Sequence, residues 1–563
     1  MSSNSARPWL DSYAEGVPDD IDVSDGSLVD MVFDAVRRFG HEVALEFFGA
    51  TTSYSELGDQ IGRAAEGLRR LGVKKGDRVA LILPNCPQHV VAFYAALRLG
   101  ALVVEHNPLY TPRELRHQFE DHGAQTVIAW DKVCPTVQDL PDDLKIQTLI
   151  SVDLTRAMPL SKRLALRLPV PQARRAREAL TRRAQGTIPW EKLLENRPIR
   201  KRHGKWPTSG DVAALQYTSG TTGKPKGAML SHRNLLANAA QGRAWVPEIT
   251  DGTEVVYAVL PMFHAYGMTL CLTFAMSIGA RLVLFPKFDA DMVLDAARKH
   301  PPTVFPAVPP IYNLVATGAR ERGIDLRGVK LALSGAMELP EPIAELWEEI
   351  TGGLLIEGYG LTEASPIAIG NPASPARRHG TVGVPFPSTL VRVVDPDDTA
   401  VDRAPGEEGE LLIKGPQVFL GYWNNTEATR ATLLADGWLR TGDIVTMSAD
   451  GFVTIVDRIK ELIITGGFNV APSEVEDVLR HAPGVSDVAV VGLPADTGGE
   501  HVVAAVVLEK GATLDQERIR SFSRKELAAY KVPRTVIQVD DLPRSMIGKV
   551  LRREVRQRLL DSR

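Results

Sequence analysis

Cysteine is scarce: Cys86, Cys134 and Cys271 are the only three in 563 residues. They lie too far apart for metal-ligand spacing, which argues against a zinc ribbon or a disulfide scaffold and suggests a reducing compartment. Long hydrophobic runs are lacking too. No apolar stretch reaches the ~20 residues of a membrane span. The nearest, residues 268–280, stops at Arg281 and reads as core. The N-terminus is polar and acidic up to Asp25, unlike a signal peptide. A net charge of −4 gives no global pull towards nucleic acid. There is no Gly-x-Ser-x-Gly elbow and no His-Glu-x-x-His pair, which weakens hydrolase and zinc-enzyme readings. No internal repeat is visible.

What is present is a set of polar loops. The run Tyr217-Thr218-Ser219-Gly220-Thr221-Thr222-Gly223-Lys224-Pro225-Lys226-Gly227 follows a strand-like apolar stretch, residues 212–217. Its glycines let the backbone approach closely, its hydroxyls and amides donate hydrogen bonds, and its lysines offset negative charge, so it suits a polyphosphate. A flexible surface turn is the plainer reading of such clusters, but two lysines and the dense hydroxyls argue against it. It is not a Walker A loop: from Gly220 the second glycine comes too early, and Lys224 is followed by Pro225.

Short apolar runs alternate with helical patterns, which predicts α/β architecture, and the length predicts two or more domains. Residues 255–260 lead into Pro261-Met-Phe-His264-Ala-Tyr-Gly267, residues 331–333 into Ser334-Gly335-Ala336-Met337, and residues 354–356 into Glu357-Gly358-Tyr359-Gly360-Leu361-Thr362-Glu363. Ligands in open α/β sheets bind beyond the carboxyl ends of strands, so these loops predict one shared cleft. The composition changes after about Asp450. Strands are predicted at 452–457, 462–465, 487–491, 502–508 and 536–539, with a helix opened by a capping box at Ser473 and Glu476. A domain boundary is placed near Asp457 to Lys460. Residues 156–183 carry nine basic residues and one acidic one, Glu178, and are divided by Pro169 and Pro171. They read first as a solvated basic insertion and second as a patch that touches anionic lipid.

Taken in order, the loop at 217–227 and the motifs at 357–363, 437–443, 457–461, 465–470 and 543–549 closely resemble the adenylate-forming superfamily, which includes acyl-CoA synthetases, firefly-type luciferases and peptide-synthetase adenylation domains. The resemblance covers nearly the whole chain. It implies a large N-terminal domain of α/β sheets with a small barrel-like subdomain, residues 1–457, and a small mobile α+β domain, residues 458–563, hinged near Lys460. It implies ATP, magnesium and coenzyme A as cosubstrates and cofactor. The loop Thr218, Ser219, Gly220, Thr221, Thr222, Gly223 and Lys226 would clamp phosphates, with Gly335, Ala336, Glu357, Gly358 and Gly360 beside the nucleotide. Tyr359 would pack on adenine, Thr362 would contact phosphate and Glu363 would support magnesium. Asp443 and Arg458 would hold the ribose.

By the same resemblance, Gly466 and Gly467 would line the path of the pantetheine arm. Lys549 would stabilise charge at the reacting carboxylate and α-phosphate, and His264 would border the carboxylate end of the acyl pocket. The family often has a small or hydroxylated residue where this chain has Ile547, which leaves that loop's detail open.

The apolar region 266–278 has no obvious charged residue for an amino group, which favours a hydrophobic carboxylic acid. Resemblance in 99–114 and 261–288 is closest to long- or medium-chain fatty-acyl-CoA ligases. The rivals are an aryl-acid (coumarate-type) CoA ligase, an enzyme that acylates a carrier protein, and a non-catalytic adenylate-binding protein. The chain ends soon after Lys549, so a free acceptor is expected rather than a fused carrier. The expected location is cytoplasmic, or peripheral to the inner membrane face through 156–183, with no nucleic-acid partner.

Overall fold

The structure is a computed structural model and describes residues 7–23, 25–200, 206–218, 225–336, 339–458, 463–466, 468–470, 472–495, 499–543, 550 and 552–562. Largely apolar strands build two mainly parallel sheets. Leu331–Ser334, Val304–Ala307 and Leu102–Glu105 are buried at every position, as parallel strands covered by helices on both faces must be.

One sheet runs Val384–Pro385, Ile367–Gly370, Leu355–Gly360, Leu331–Ser334, Val304–Ala307, Val255–Ala258, Arg281–Leu284, Val43–Phe47 and Ala50–Ser53 from edge to edge. Its pairings from Val43–Phe47 to Leu355–Gly360 are parallel. The loops after Val255–Ala258, Leu331–Ser334 and Leu355–Gly360 therefore leave from the same side. The second sheet runs Ile188–Pro189, Thr148–Val152, Thr126–Trp130, Arg78–Ile82, Leu102–Glu105, Val212–Thr218 and Lys226–Ser231. Its last pair is an antiparallel hairpin in which Tyr217 faces Gly227 and Thr218 faces Lys226.

A four-stranded antiparallel sheet follows, Leu390–Val394, Gly409–Lys414, Leu439–Met447 and Val453–Arg458. Leu439–Met447 alternates buried and half-buried positions, as a strand with one wetter face does. Beyond it, Ile463–Thr465 pairs with Phe468–Val470, and Val485–Pro494, Glu500–Leu508 and Thr535–Gln538 form a three-stranded sheet flanked by the helices Pro472–Leu479, Gln516–Glu526 and Arg552–Asp561. Among the described residues, no buried apolar cluster joins side chains from both sides of positions 459–462. The α/β class and the small C-terminal α+β unit expected from the sequence are both present.

Several helices start at side-chain caps. Ser27 with Asp30, Ser53 with Glu56, Thr111 with Glu114 and Ser231 with Asn234 each form a reciprocal capping box. The Ser473 side chain, one half of the capping box expected there, lies outside the described set. The helix begins one residue earlier, at Pro472, and the Glu476 carboxylate turns to tertiary partners, accepting from Val490 N–H at 2.8 Å and from Arg552 Nε at 2.8 Å. The 268–280 stretch is core, as expected: Met268–Phe274 is a fully buried π-helical turn. No helix among the described residues is long and apolar enough to cross a membrane.

Buried histidines make stability depend on pH, His232 and His106 among them. His232 Nδ1 accepts from Leu28 N–H at 3.1 Å, and His106 Nδ1 lies 2.7 Å from Gln118 Oε1. Burial pushes both rings down to about 4. The unfolded chain, with ordinary imidazoles near 6.5, then binds more protons between those values, so stability is full above pH 6.5 and falls as pH drops towards 4. Each ring is expected to cost on the order of 2 kcal/mol between pH 7 and pH 5. Urea unfolding at the two pH values checks this, and His232→Asn should flatten the difference by about one ring's share.

Candidate active site

The loops from the two sheets meet in a cleft of about 240 Å³. Its wall contains Thr218, Lys226, His264, Gly335, Ala336, Gly358, Tyr359, Gly360, Thr362, Glu363 and Asp443, all singled out in the sequence. Strand geometry explains the convergence. Thr218 and Lys226 are held opposite each other by the hairpin, so both ends of the phosphate-type loop open on the cleft. Gly360 sits where a Cβ would lie 2.0 Å from Pro366 O, a position that no other residue type can take without moving backbone. Gly335 lies against the Tyr266 ring, which a Cβ would meet at 3.3 Å.

The polar groups are ordered by short hydrogen bonds. Tyr359 Oη donates to Asp443 Oδ2 at 2.6 Å, joining the two large parts of the site. Asp443 also lies opposite Arg458 in the antiparallel ladder, although the Arg458 side chain is outside the described set. Tyr422 Oη donates to Glu363 Oε1 at 2.5 Å, and burial, then the Glu363 charge, pushes the Tyr422 phenol up. Lys226 Nζ stands 5.3 Å from the Tyr422 ring centre. His264 Nδ1 accepts from Tyr266 N–H at 3.4 Å, and burial pushes the imidazole down to about 4, so the ring is neutral at pH 7.

Glu357 is half-buried one residue before the wall, its carbonyl accepting from Asn371 N–H. Gly466 lies at the exposed turn of the Ile463–Thr465 hairpin, with φ of 57°. Its neighbour Phe468 reaches the cleft. Ser219, Gly220, Thr221, Thr222, Gly223, Lys460, Gly467 and Lys549 lie outside the described residues.

Several wall residues carry no sequence signal. Glu105, at the end of its strand, is gripped by His89 Nε2 at 3.1 Å to both oxygens, and both side chains are fully buried. Lys531 bridges Glu114 Oε1 at 2.7 Å and Glu474 Oε1 at 2.8 Å. Glu114 belongs to the N-terminal part, so the bridge fastens the C-terminal unit to the cleft. Burial alone would lower the Lys531 ammonium, but Glu474, Tyr530 and Glu114 together raise it well above its usual range. The Thr111 hydroxyl reaching Glu526 O at 3.1 Å and Arg113 reaching Glu526 Oε2 at 3.3 Å complete the contact.

The metal question turns on donor chemistry. Among the described residues no three His, Cys, Asp or Glu side chains are grouped to hold an ion by themselves. Glu363 offers one oxygen, Oε2, with no hydrogen-bond partner among the described residues, while Tyr422 fixes the other. Magnesium is commonly bound by one or two carboxylates together with substrate phosphates, and a single fixed carboxylate fits that pattern.

The family model described as AMP-binding enzyme matches residues 32–423, and the one described as AMP-binding enzyme C-terminal domain matches residues 474–549. The chain belongs to the AMP-binding, adenylate-forming enzyme family. A long-chain-fatty-acid–CoA ligase of Bacillus subtilis is 36% identical over 551 residues, covering 98% of each chain. Another, of Escherichia coli O6:H1, is 38% identical over 555 residues, again covering 98% of each. Among solved structures of the family, the o-succinylbenzoate CoA synthetase of Bacillus subtilis bound to its product analogue superposes with a TM-score of 0.77 at 25% identity, covering 95% of this chain and 99% of that one. The family relation covers both the sheets that build the cleft and the C-terminal unit fastened to it by Lys531.

Proposed function

We propose that this chain is a fatty acid–CoA ligase that first joins the acid to AMP, releasing pyrophosphate, and then transfers the acyl group to coenzyme A. The observation that carries this reading is the Tyr359–Asp443 hydrogen bond in a cleft whose wall also includes Phe263, Tyr266, Leu333 and Ile367. A flat aromatic and a two-oxygen carboxylate match a purine and a ribose diol, and the apolar side chains match an alkyl chain.

Activation brings a carboxylate to a polyanion. Each such charge pair costs about 4 kcal/mol at 4 Å with an effective dielectric near 20. Lys226, the loop 219–224 and Lys549 are the groups that offset it, and magnesium, held with the help of Glu363, supplies further charge neutralisation when bound. His264 contributes as a neutral donor. Its Nδ1 accepts from Tyr266 N–H, so Nε2 carries the proton and can hydrogen-bond a carboxylate oxygen. The acid then attacks the α-phosphate in line, and catalysis is mainly positioning and charge stabilisation. Exclusion of water protects the mixed anhydride.

The unit boundary is proposed at 457/458, supported by the separation of apolar clusters across 459–462. With Phe468, Glu474, Tyr530 and Lys531 all at the cleft, we read this arrangement as the thioester-forming one. Gly466 and Gly467 then flank the thiol's approach, and Lys549 acts in another orientation reached by rotation near Lys460. Arg458 is assigned to the ribose beside Asp443.

The decisive measurement is ATP–pyrophosphate exchange and thioester formation across straight-chain and aromatic acids, with coenzyme A and a holo carrier protein as acceptors. The highest kcat/KM is expected with a fatty acid and coenzyme A. A preference for coumarate-type acids, for the carrier, or for no acid at all would each replace this reading by the corresponding rival.

A further inference from the structure

The segment 156–183 takes no part in the cleft. It forms two short helices, Leu160–Ala165 and Pro171–Leu180, and is tied down from behind. Trp130 Nε1 donates to Leu180 O at 2.9 Å, Lys132 Nζ reaches Ala179 O at 3.3 Å, the Thr181 hydroxyl donates to Asp131, and Leu166 and Leu180 pack on the main core. The outer side is unlike an ordinary solvated face. Leu160, Leu164, Leu168 and Val170 are 67%, 54%, 56% and 44% exposed, which places four of the ten exposed large hydrophobics among the described residues within eleven positions. Leucines one turn apart normally mark the face that a helix buries; here that face meets solvent.

Beside the leucines lies a hollow of about 70 Å³ walled by Arg156, Arg163, Arg167 and Arg177, with one acidic residue, Asp153, and with Thr155 and Leu166. Arg156 lies 3.7 Å from Asp153. Among the described residues Arg163, Arg167 and Arg177 form no ion pair and no side-chain hydrogen bond. Guanidinium groups held together with so little neutralisation favour an anion rich in acceptor oxygens, and phosphate matches their fork geometry.

We propose that this face docks on an anionic phospholipid bilayer, with a headgroup phosphate seated among the four arginines and Leu160, Leu164 and Leu168 entering the headgroup–acyl boundary. Buried apolar area and attraction of basic side chains to anionic lipid act together in such contacts. A nucleic acid would satisfy the arginines but leave the leucines in water, so the pairing of the two features favours lipid. The proposal is independent of which acid the cleft accepts.

The test is cosedimentation of the full chain with vesicles of phosphatidylcholine and of an equal mixture with phosphatidylglycerol. Binding is expected to the mixed vesicles, weakly or not at all to the neutral ones, and to weaken with salt. The triple variant R163Q/R167Q/R177Q should lower the partition coefficient about 100-fold, at roughly fivefold per basic residue. L160S/L164S/L168S should weaken binding at high as well as low salt. Unchanged circular dichroism and thermal midpoints would show that both variants fold. Equal binding to both vesicle types, no binding to either, or variants that bind like the parent chain would overturn the proposal. So would a leucine variant that keeps full affinity while duplex DNA displaces the vesicles, which would make the patch a general polyanion site.

Discussion

Lys549→Ala is expected to lose acyl-adenylate formation by about 10²–10³-fold or more, yet to convert a supplied acyl-adenylate to thioester at close to the parental rate. The argument is one of charge. Adenylate formation brings two anions together and needs a cation at the reacting oxygens. Attack of a thiol on a finished mixed anhydride does not carry the same repulsion. ATP–pyrophosphate exchange reports the first step, and thioester release from synthetic acyl-adenylate reports the second. Equal loss of both would contradict the division of labour between two orientations of the C-terminal unit.

The complementary result is expected for Lys531→Met. Lys531 is buried between Glu114 and Glu474, and methionine would leave two carboxylates facing each other without a counter-charge. Breaking a buried ion pair by removing one partner typically costs about 3–5 kcal/mol. The protein can escape that cost by letting the C-terminal unit leave this orientation, because Glu114 and Lys531 lie on opposite sides of the contact. The thioester half-reaction should therefore fall about 10²-fold or more, with exchange within about threefold of the parent. The double variant E114Q/K531M should recover part of the loss, since glutamine removes one charge and can still close the Thr111 capping box. If exchange fell in parallel with thioester formation, Lys531 would be acting on folding rather than on orientation.

The parts of the site that could be read from the sequence are those carried by local chemistry. Glycine, hydroxyl and acidic residues just after apolar runs located Thr218, Gly335, Tyr359 and Glu363, and the parallel sheets bring them to one cleft. Motif order placed Asp443, which the structure joins to Tyr359. What stayed hidden depends on pairing across long sequence separations. Tyr422 grips Glu363 from 59 residues away, and Lys531 grips Glu114 from 417. A single polar residue in a loop or helix leaves no periodic trace of such a partner. The helix at Pro472 shows the same limit on a smaller scale: Ser473 and Glu476 have capping-box spacing, but a tertiary arginine and a strand amide claimed the glutamate. Leu160, Leu164 and Leu168 are exposed, in keeping with the solvated insertion expected first for 156–183, while Leu166 between them packs on the core, a division that leucine spacing alone does not reveal.

The division of the apolar clusters across 459–462 has a thermal consequence. The contact between the C-terminal unit and Glu114, Thr111 and Arg113 is built mainly from charges and hydrogen bonds, with the Tyr110 and Tyr530 rings beside Lys531, so swinging the unit chiefly exchanges the hydration of polar groups. Heat-capacity changes come chiefly from newly wetted apolar surface. The equilibrium between the two orientations should therefore follow a nearly straight van't Hoff line, its slope set by the enthalpy of exchanging these polar contacts for water.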